Sequence, residues 1–286
     1  MKILKISCCL LCIICLSVSC KTDTKKEKST SKDKIVSKPE SETVEVEISR
    51  EEIIYKTDTT TMKGYIAYNS KVQGKRPGIL VVHQWWGHND YSRKRADMLA
   101  ELGYVALAVD MYGDGKQAKH PKDAGKFVGM VMKNIDVGEA RFDAAMKALK
   151  ANPNVDSEKI AAIGYCFGGS VVLTMANMGK DLDAVAAFHS GVQLPVMPSE
   201  EIKAKILICN GADDPLVSLE SIAAYTKAMD SVNADYEYIS YEDAVHAFTS
   251  KEADSLGKKF DLPLAYNQEA DEKSWAELQK LLKEVF

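Results

Sequence analysis

Residues 160–170 read IAAIGYCFGGS, and residues 171–175 continue as VVLTM. The opening apolar run is typical of a buried strand, and the closing one is typical of a buried helix. Between them lies a sharp turn, G-x-C-x-G-G, centred on Cys166. A nucleophile at such a turn occupies strained backbone, so its neighbours need glycine to avoid collisions. The stretch therefore predicts a nucleophile elbow; the alternative is a tight turn whose cysteine is merely small and buried.

The helix expected after Cys166 also bears on its chemistry. The first turn of a helix presents unpaired N–H groups and the positive end of the helix dipole, and both favour a thiolate. The ordinary thiol pKa is about 8.5, so further help from a neighbouring imidazolium is expected.

The remainder of the folded region alternates apolar strands with helical patterns. Strands that are apolar throughout, each followed by a helix, predict an α/β fold with a mostly parallel central sheet and helices on both faces. An antiparallel hairpin of 51–56 and 62–69 is predicted before them, and Val44, Val46 and Ile48 alternate as in a half-buried strand. The predicted parallel strands are Gly78–Val82, Tyr104–Asp110, Ile160–Gly164, Ala184–Phe188, Lys205–Cys209 and Tyr236–Tyr241. The predicted helices are 91–102, 137–150 and one C-terminal helix.

An acid and a histidine follow later strands in the order that an elbow requires. Asp214 comes after the strand 205–209, and His246 comes after the strand 236–241. Asp214 would orient the imidazole of His246, which would take the proton of Cys166. Asp213 is the rival acid, and the simpler alternatives are that Asp214 caps a helix and that His246 is an ordinary loop residue.

The loop after the strand 78–82 reads HQWWG at 83–87. Backbone N–H groups of Phe167, one residue past the nucleophile, and of Trp85 are the predicted oxyanion-hole donors. Gln84, Trp86 and Tyr112 are predicted to line a substrate pocket. The alternative for the tryptophans and for Tyr112 is ordinary packing.

These motifs together resemble those of the dienelactone hydrolase family, which has the α/β-hydrolase fold. The resemblance covers about residues 50–286 and implies an ester or lactone hydrolase that uses Cys166, Asp214 and His246. It rests on HQWWG at 83–87, VDMYG at 109–113, GYCFGG at 164–169, GADDP at 211–215 and VHAF at 245–248.

Two departures from the family pattern affect the expected activity. Family members often carry glutamate at the position of Gln84; an amide cannot accept the thiol proton, so activation is predicted to depend on His246 alone. The dienelactone-cleaving members bind a substrate carboxylate with arginines, where this chain reads Gly113-Asp114 and Thr249-Ser250-Lys251. Without a bidentate guanidinium, the substrate is expected to differ from dienelactone.

The first twenty residues predict export. Lys2 and Lys5 precede an apolar run to about Val18, which is too short to span a bilayer but suits a signal peptide. The run ends in LSVSC at 16–20, which resembles the lipobox of bacterial lipoproteins and implies lipidation of Cys20. The alternatives are an ordinary cleaved signal or a short membrane anchor. We therefore expect a signal peptide at 1–20, a flexible polar tether at 21–43, a hydrolase domain at 44–286, and a lipid-anchored protein on the periplasmic or cell-surface side.

Composition narrows the possible functions. With 46% hydrophobic residues, 27% charged residues and a net charge of -4, the 286-residue chain resembles an enzyme or binding protein, and no nucleic-acid partner is expected. His83, His88, His120 and His189 lack metal-ligand spacing, so no metal or other cofactor is expected. Besides an esterase or lactonase, the interpretations are a non-catalytic binding lipoprotein and a thioesterase or peptidase with the same triad. Of the seven cysteines, only Cys166 and Cys209 lie beyond the leader, and Cys209 is expected to be a core residue.

Overall fold

The computed structural model describes residues 46–286. The predicted signal peptide, its Cys20 and the predicted tether lie outside the described residues. Within 46–286, no helix combines the length and the apolar composition needed to cross a bilayer.

Eight strands form one sheet in the described part of the chain. Their order across the sheet is β1-β2-β4-β3-β5-β6-β7-β8. The pairs β1–β2 and β2–β4 are antiparallel and the other five are parallel, which confirms the predicted mostly parallel sheet with an antiparallel hairpin. The strands are β1 Ile48–Lys56, β2 Thr61–Asn69, β3 Arg76–Val82, β4 Val105–Val109, β5 Val155–Tyr165, β6 Ala184–Phe188, β7 Lys205–Gly211 and β8 Tyr236–Tyr241.

Helices cover both faces of this sheet. The core on one face includes residues of α3, α4 and α5, and the core on the other includes residues of α1 and α7. Alternate residues of β3 belong to the two cores, because successive side chains of a strand point to opposite faces of the sheet. The helices are α1 Asp90–Glu101, α2 Pro121–Met132, α3 Ile135–Lys150, α4 Phe167–Asn177, α5 Leu219–Ser231, α6 Ala253–Phe260 and α7 Gln268–Val285.

Several predicted boundaries differ from the structure. The strand expected to start near Val44 begins at Ile48, and β5 begins at Val155, five residues earlier than predicted. The start of β5 was missed because its residues 156–159 are polar, yet Val155 and Asp156 pair with the start of β3. Helices α2, α5 and α6 were not predicted.

The parallel arrangement determines where chemistry can occur. The carboxyl ends of β3, β5, β6, β7 and β8 all point to one edge of the sheet. In open α/β sheets this edge is where ligands bind. The loops that follow these strands contain Trp85, Cys166, His189, Asp214 and His246.

Candidate active site

Cys166 sits in the sharp turn between β5 and α4. Its backbone has φ 55° and ψ -117°, a conformation that a non-glycine residue adopts at a cost of about 1–3 kcal/mol. The turn is held because the Cys166 N–H donates to the carbonyl of Phe188 at 2.9 Å. A Cβ on Gly164 would lie 2.1 Å from the carbonyl oxygen of Gly168, so the strand and the helix approach closely only because glycine is present.

Gly168 offers a direct test of this close approach. A Cβ there would lie 2.3 Å from the carbonyl oxygen of Val82, at the end of β3. We expect Gly168→Ala to lower the free energy of unfolding by about 3 kcal/mol, because backbone must move to admit the methyl group. Urea denaturation followed by circular dichroism measures the change.

Gly125 provides the matched control. It is an exposed glycine of α2 with nothing within 4 Å of its added Cβ. Gly125→Ala should therefore stabilise the protein by about 0.4–1 kcal/mol. Equal urea midpoints for the two variants would contradict the close packing at the elbow.

Asp214 and His246 are brought together by the loops after β7 and β8. Nδ1 of His246 lies 2.7 Å from Oδ2 of Asp214, and both residues are buried. The other carboxylate oxygen of Asp214 accepts from the backbone N–H of Leu216 at 2.9 Å, which fixes the carboxylate plane. Asp213, the rival acid, is exposed to solvent. The structure therefore pairs the histidine with Asp214.

The thiol of Cys166 and the imidazole of His246 are close enough to shift each other's pKa. Burial opposes ionisation of the Cys166 thiol, but the charge of His246 and its hydrogen bond outweigh burial, so the thiol pKa is lowered. Burial also disfavours the cationic form of His246, but the Cys166 thiolate and the Asp214 carboxylate outweigh it and raise the imidazole pKa. The two shifts favour a thiolate–imidazolium pair in the resting site.

Two backbone amides also reach the sulfur. Those of Phe167 and Trp85, the predicted oxyanion-hole donors, lie close enough to Cys166 to lower the pKa of its thiol further. Donors placed in this way can stabilise the negative oxygen that develops when an acyl carbon is attacked. The arrangement is therefore suited to acyl transfer through sulfur.

His83 and Tyr112 support the loop that contains Trp85. Nδ1 of His83 donates to the carbonyl of Gln84 at 2.6 Å, and Nε2 accepts from the Met111 N–H at 3.3 Å. Burial lowers the pKa of His83 to about 4, so its ring is neutral and can accept that hydrogen bond. The Tyr112 hydroxyl donates to the Trp85 carbonyl at 3.0 Å. Tyr112 is fully buried, and its assignment to the pocket stays a prediction beside the packing alternative.

Asp110 is a site-supporting residue that the sequence did not reveal. It directly follows β4 and is fully buried. Its carboxylate accepts four backbone N–H groups, from Lys63, Tyr112, Gly113 and Gly115. The sequence does contain a signal, because an acid at the carboxyl end of a buried strand needs hydrogen-bond partners. The spacing of residues along the chain does not show which groups those partners are.

Comparison with known proteins shows to which protein family the chain belongs. A protein-family model described as the dienelactone hydrolase family matches residues 62–286. The chain belongs to the dienelactone hydrolase family. Protein usf of Aquifex pyrophilus is 30% identical over 200 residues, which cover 68% of this chain and 85% of that protein. A putative carboxymethylenebutenolidase of Aquifex aeolicus is 28% identical over the same shares of the two chains.

Solved structures agree with this assignment. The structure named m3DLH is 35% identical, has a TM-score of 0.80, and matches 84% of this chain and 99% of its own. A dienelactone hydrolase-like promiscuous phosphotriesterase from metagenomic libraries is 33% identical, with a TM-score of 0.78 and coverage of 84% and 99%. The α/β-hydrolase fold predicted from the elbow is thereby confirmed.

Within this dienelactone hydrolase fold, Gln84 and Trp86 line a cavity of about 450 Å³ whose lining does not include Cys166 or His246. Gln84 is only 5% exposed, and its Nε2 has no hydrogen-bond partner among residues 46–286, the cysteine sulfur included. Asp114 is exposed and pairs with Lys116, and the hydroxyl of Ser250 donates to Glu252. None of these residues can make the bidentate carboxylate contact of an arginine.

The described residues offer no evident place for a metal ion. Within residues 46–286, no group of three His, Cys, Asp or Glu side chains lies close enough together to ligate one. Cys166 and Cys209 are both free thiols, and Cys209 is buried within β7.

Proposed function

We propose that this protein hydrolyses a carboxylic ester or lactone with Cys166 as nucleophile, His246 as acid and base, and Asp214 as the group that orients the imidazole. The observation that carries the proposal is the 2.7 Å pairing of Asp214 with His246, whose imidazole in turn lowers the pKa of the Cys166 thiol. The sulfur lies at a nucleophile elbow and within reach of two backbone amides, which is the combination that acyl transfer requires.

The proposed reaction has two halves. The Cys166 thiolate attacks the carbonyl carbon, the oxyanion accepts hydrogen bonds from the amides of Trp85 and Phe167, and His246 gives its proton to the departing alkoxide. Water then attacks the thioester, His246 takes the water proton, and the thiolate is expelled as the carboxylic acid forms. In a lactone the leaving oxygen stays attached, so the same steps open the ring.

The substrate class is inferred from the cavity that Gln84 and Trp86 line. Its wall combines the apolar side chains of Trp86, Leu256 and Phe260 with Gln84. The charged residues at this cavity are two lysines and two acids, which balance: Lys119, Lys259, Asp90 and Glu252. A neutral ester or lactone with an apolar group fits this balance better than a substrate carboxylate does.

A substrate screen tests the proposal. The panel contains p-nitrophenyl esters of varied chain length, small lactones, acyl thioesters, peptides and a phosphotriester, the last because of the relative that bears that activity in its name. Turnover of esters or lactones supports the proposal. Turnover of only thioesters or peptides would reassign the substrate, and turnover of none would favour a non-catalytic binding protein.

Alkylation by iodoacetamide should report the thiolate of Cys166 without any substrate. Because the charge of His246 lowers the thiol pKa, we expect the rate to reach its half-maximum below the ordinary thiol pKa of about 8.5. In a His246→Asn variant the half-maximum should move above that value, since burial remains while the compensating charge is gone. Mass spectrometry of the labelled peptide measures the rate against pH.

Cys209 is the internal control for that experiment. Burial raises its pKa to about 12, so it should stay unlabelled throughout the range. If Cys166 reacted no faster than Cys209 at neutral pH, the activated thiolate would be ruled out.

We further propose that the protein is exported and anchored to a membrane through lipidated Cys20, which the segment at 16–20 supports. In a bacterial host fed an alkynyl fatty acid, the wild-type protein should take up the label and Cys20→Ala should not. Cys15→Ala, five residues earlier in the same leader, should keep it. Label on the Cys20→Ala variant would refute the assigned residue.

A further inference from the structure

His189 lies directly behind His246 and has no role in the mechanism above. It follows β6, is fully buried, and has an unusual φ of 39°. Its ring centroid is 5.3 Å from that of His246, with an angle of 69° between the ring planes. The two imidazoles therefore pack edge to face in the interior of the protein.

A series of hydrogen bonds connects α1 to His189. It runs through the side chains of Arg95, Tyr91 and Thr249, which we call the Arg95 chain. Arg95 Nε donates to the Tyr91 hydroxyl at 3.3 Å, the Tyr91 hydroxyl lies 2.5 Å from Thr249 Oγ1, and Thr249 Oγ1 lies 2.8 Å from Nε2 of His189. Arg95 can only donate, so the Tyr91 hydroxyl oxygen accepts from it.

The direction determines the tautomer of His189. If Tyr91 accepts from Arg95 and donates to Thr249, then Thr249 donates to Nε2 of His189 and the ring proton sits on Nδ1. Among Arg95, Tyr91, Thr249 and His189, that assignment leaves one group of this series unpaired, Nδ1–H of His189. The reverse direction would leave both the Tyr91 hydroxyl proton and Nδ1 unpaired, which costs more.

The charges around His189 keep it neutral. Burial lowers the pKa of His189 well below its ordinary value, and the charges of His246 and Arg95 lower it further. Arg95 is itself paired with Asp271 of α7 at 2.6 Å and packs on the ring of Tyr165. The groups that face His246 are Cys166 and Asp214 besides His189.

We propose that His189, fixed by the Arg95 chain, is a positioning residue that keeps the imidazole of His246 aligned with its two partners. A neutral ring beside His246 limits rotation of the imidazole without adding a second positive charge next to the imidazolium. Arg95 Nη2 also donates to the Thr249 carbonyl at 2.8 Å, so the same chain fixes the loop three residues after His246. The inference rests on the proposed function of His246 and goes beyond it.

Thr249→Val tests the proposal, because valine keeps the shape of threonine and removes the hydroxyl that His189 accepts from. We expect kcat for the best ester to fall about tenfold with KM little changed, by analogy with the loss of outer-shell partners of metal-ligating histidines. The pH of half-maximal Cys166 alkylation should rise, since a less well-held imidazolium stabilises the thiolate less. Tyr91→Phe should shift both measurements in the same direction and serves if Thr249→Val does not fold.

Two matched variants separate positioning from general destabilisation. Thr174→Val removes a fully buried hydroxyl in α4, and Tyr225→Phe removes a buried one in α5. Both should leave kcat and the alkylation profile unchanged, whatever they do to the melting temperature. If Thr249→Val and Tyr91→Phe changed only the melting temperature, His189 would have no positioning role.

The proposed hydrolase activity and the positioning role of His189 can be disproved separately. If no ester or lactone were turned over, the proposed function would fail, yet the alkylation profile would still compare Thr249→Val with the wild type. If esters were turned over while the alkylation profile of Thr249→Val matched that of the wild type, the positioning role alone would be overturned.

Discussion

Cys166→Ala is expected to reduce kcat/KM for the best ester or lactone by roughly 10⁴-fold or more, which is the range seen when a nucleophile is removed from a comparable triad. Alanine leaves the backbone turn and the two amides in place, but no atom remains to form the acyl intermediate. Residual activity would measure what the oxyanion donors and His246 can do with water alone. Initial rates on the substrates found in the screen give the number.

Cys209→Ala is the control for that substitution. It removes the other described thiol, which is buried in β7 and accepts from the Tyr241 hydroxyl at 3.6 Å. We expect at most a modest loss of stability and little change in kcat/KM. Equal activity of Cys166→Ala and the wild-type protein would remove the nucleophile from the mechanism.

Asp214→Asn is expected to lower kcat by roughly 10³–10⁴-fold, the magnitude known for loss of the acid in a Ser-His-Asp triad. Asparagine keeps the size of the side chain, but its neutral amide no longer stabilises the imidazolium and can favour the wrong tautomer of His246. The raised pKa of His246 should fall for the same reason, because the Asp214 hydrogen bond contributes to it. The pH profile of kcat therefore provides a second readout.

Asp213→Asn makes the same chemical change one residue earlier. Asp213 is exposed, whereas Asp214 is 4% exposed and lies 2.7 Å from the imidazole. Asp213→Asn should retain nearly full activity. The reverse ranking of the two variants would transfer the role to Asp213 and contradict the observed pairing.

The residues that the sequence identified are those whose role depends on local order along the chain. Cys166 was predictable because strand, glycines and helix adjoin it, and Asp214 and His246 because each follows a strand in the required order. Buried strands such as β4 and β6 were predictable because they are apolar at every position. The fold class follows from the same alternation.

The residues that escaped prediction depend on contacts between distant segments. His189 meets Thr249 across 60 residues, and Arg95 meets Asp271 across 176. No periodicity connects such positions, so the polar support behind the imidazole became visible only in three dimensions. The missed helices have a related cause: α6 is eight residues long, and only two of its residues are buried.

The order of strands also determines how far the first strand lies from the candidate site. β1 and β8 are the two outermost of eight strands, so seven spacings of about 4.8 Å separate them, or roughly 34 Å across the sheet. β1 is the first strand of the described region, and it lies four strand spacings from β5, which is followed by the turn at Cys166. Within the sheet, a substitution in β1 should therefore reach that turn only through the three strands between them, β2, β4 and β3.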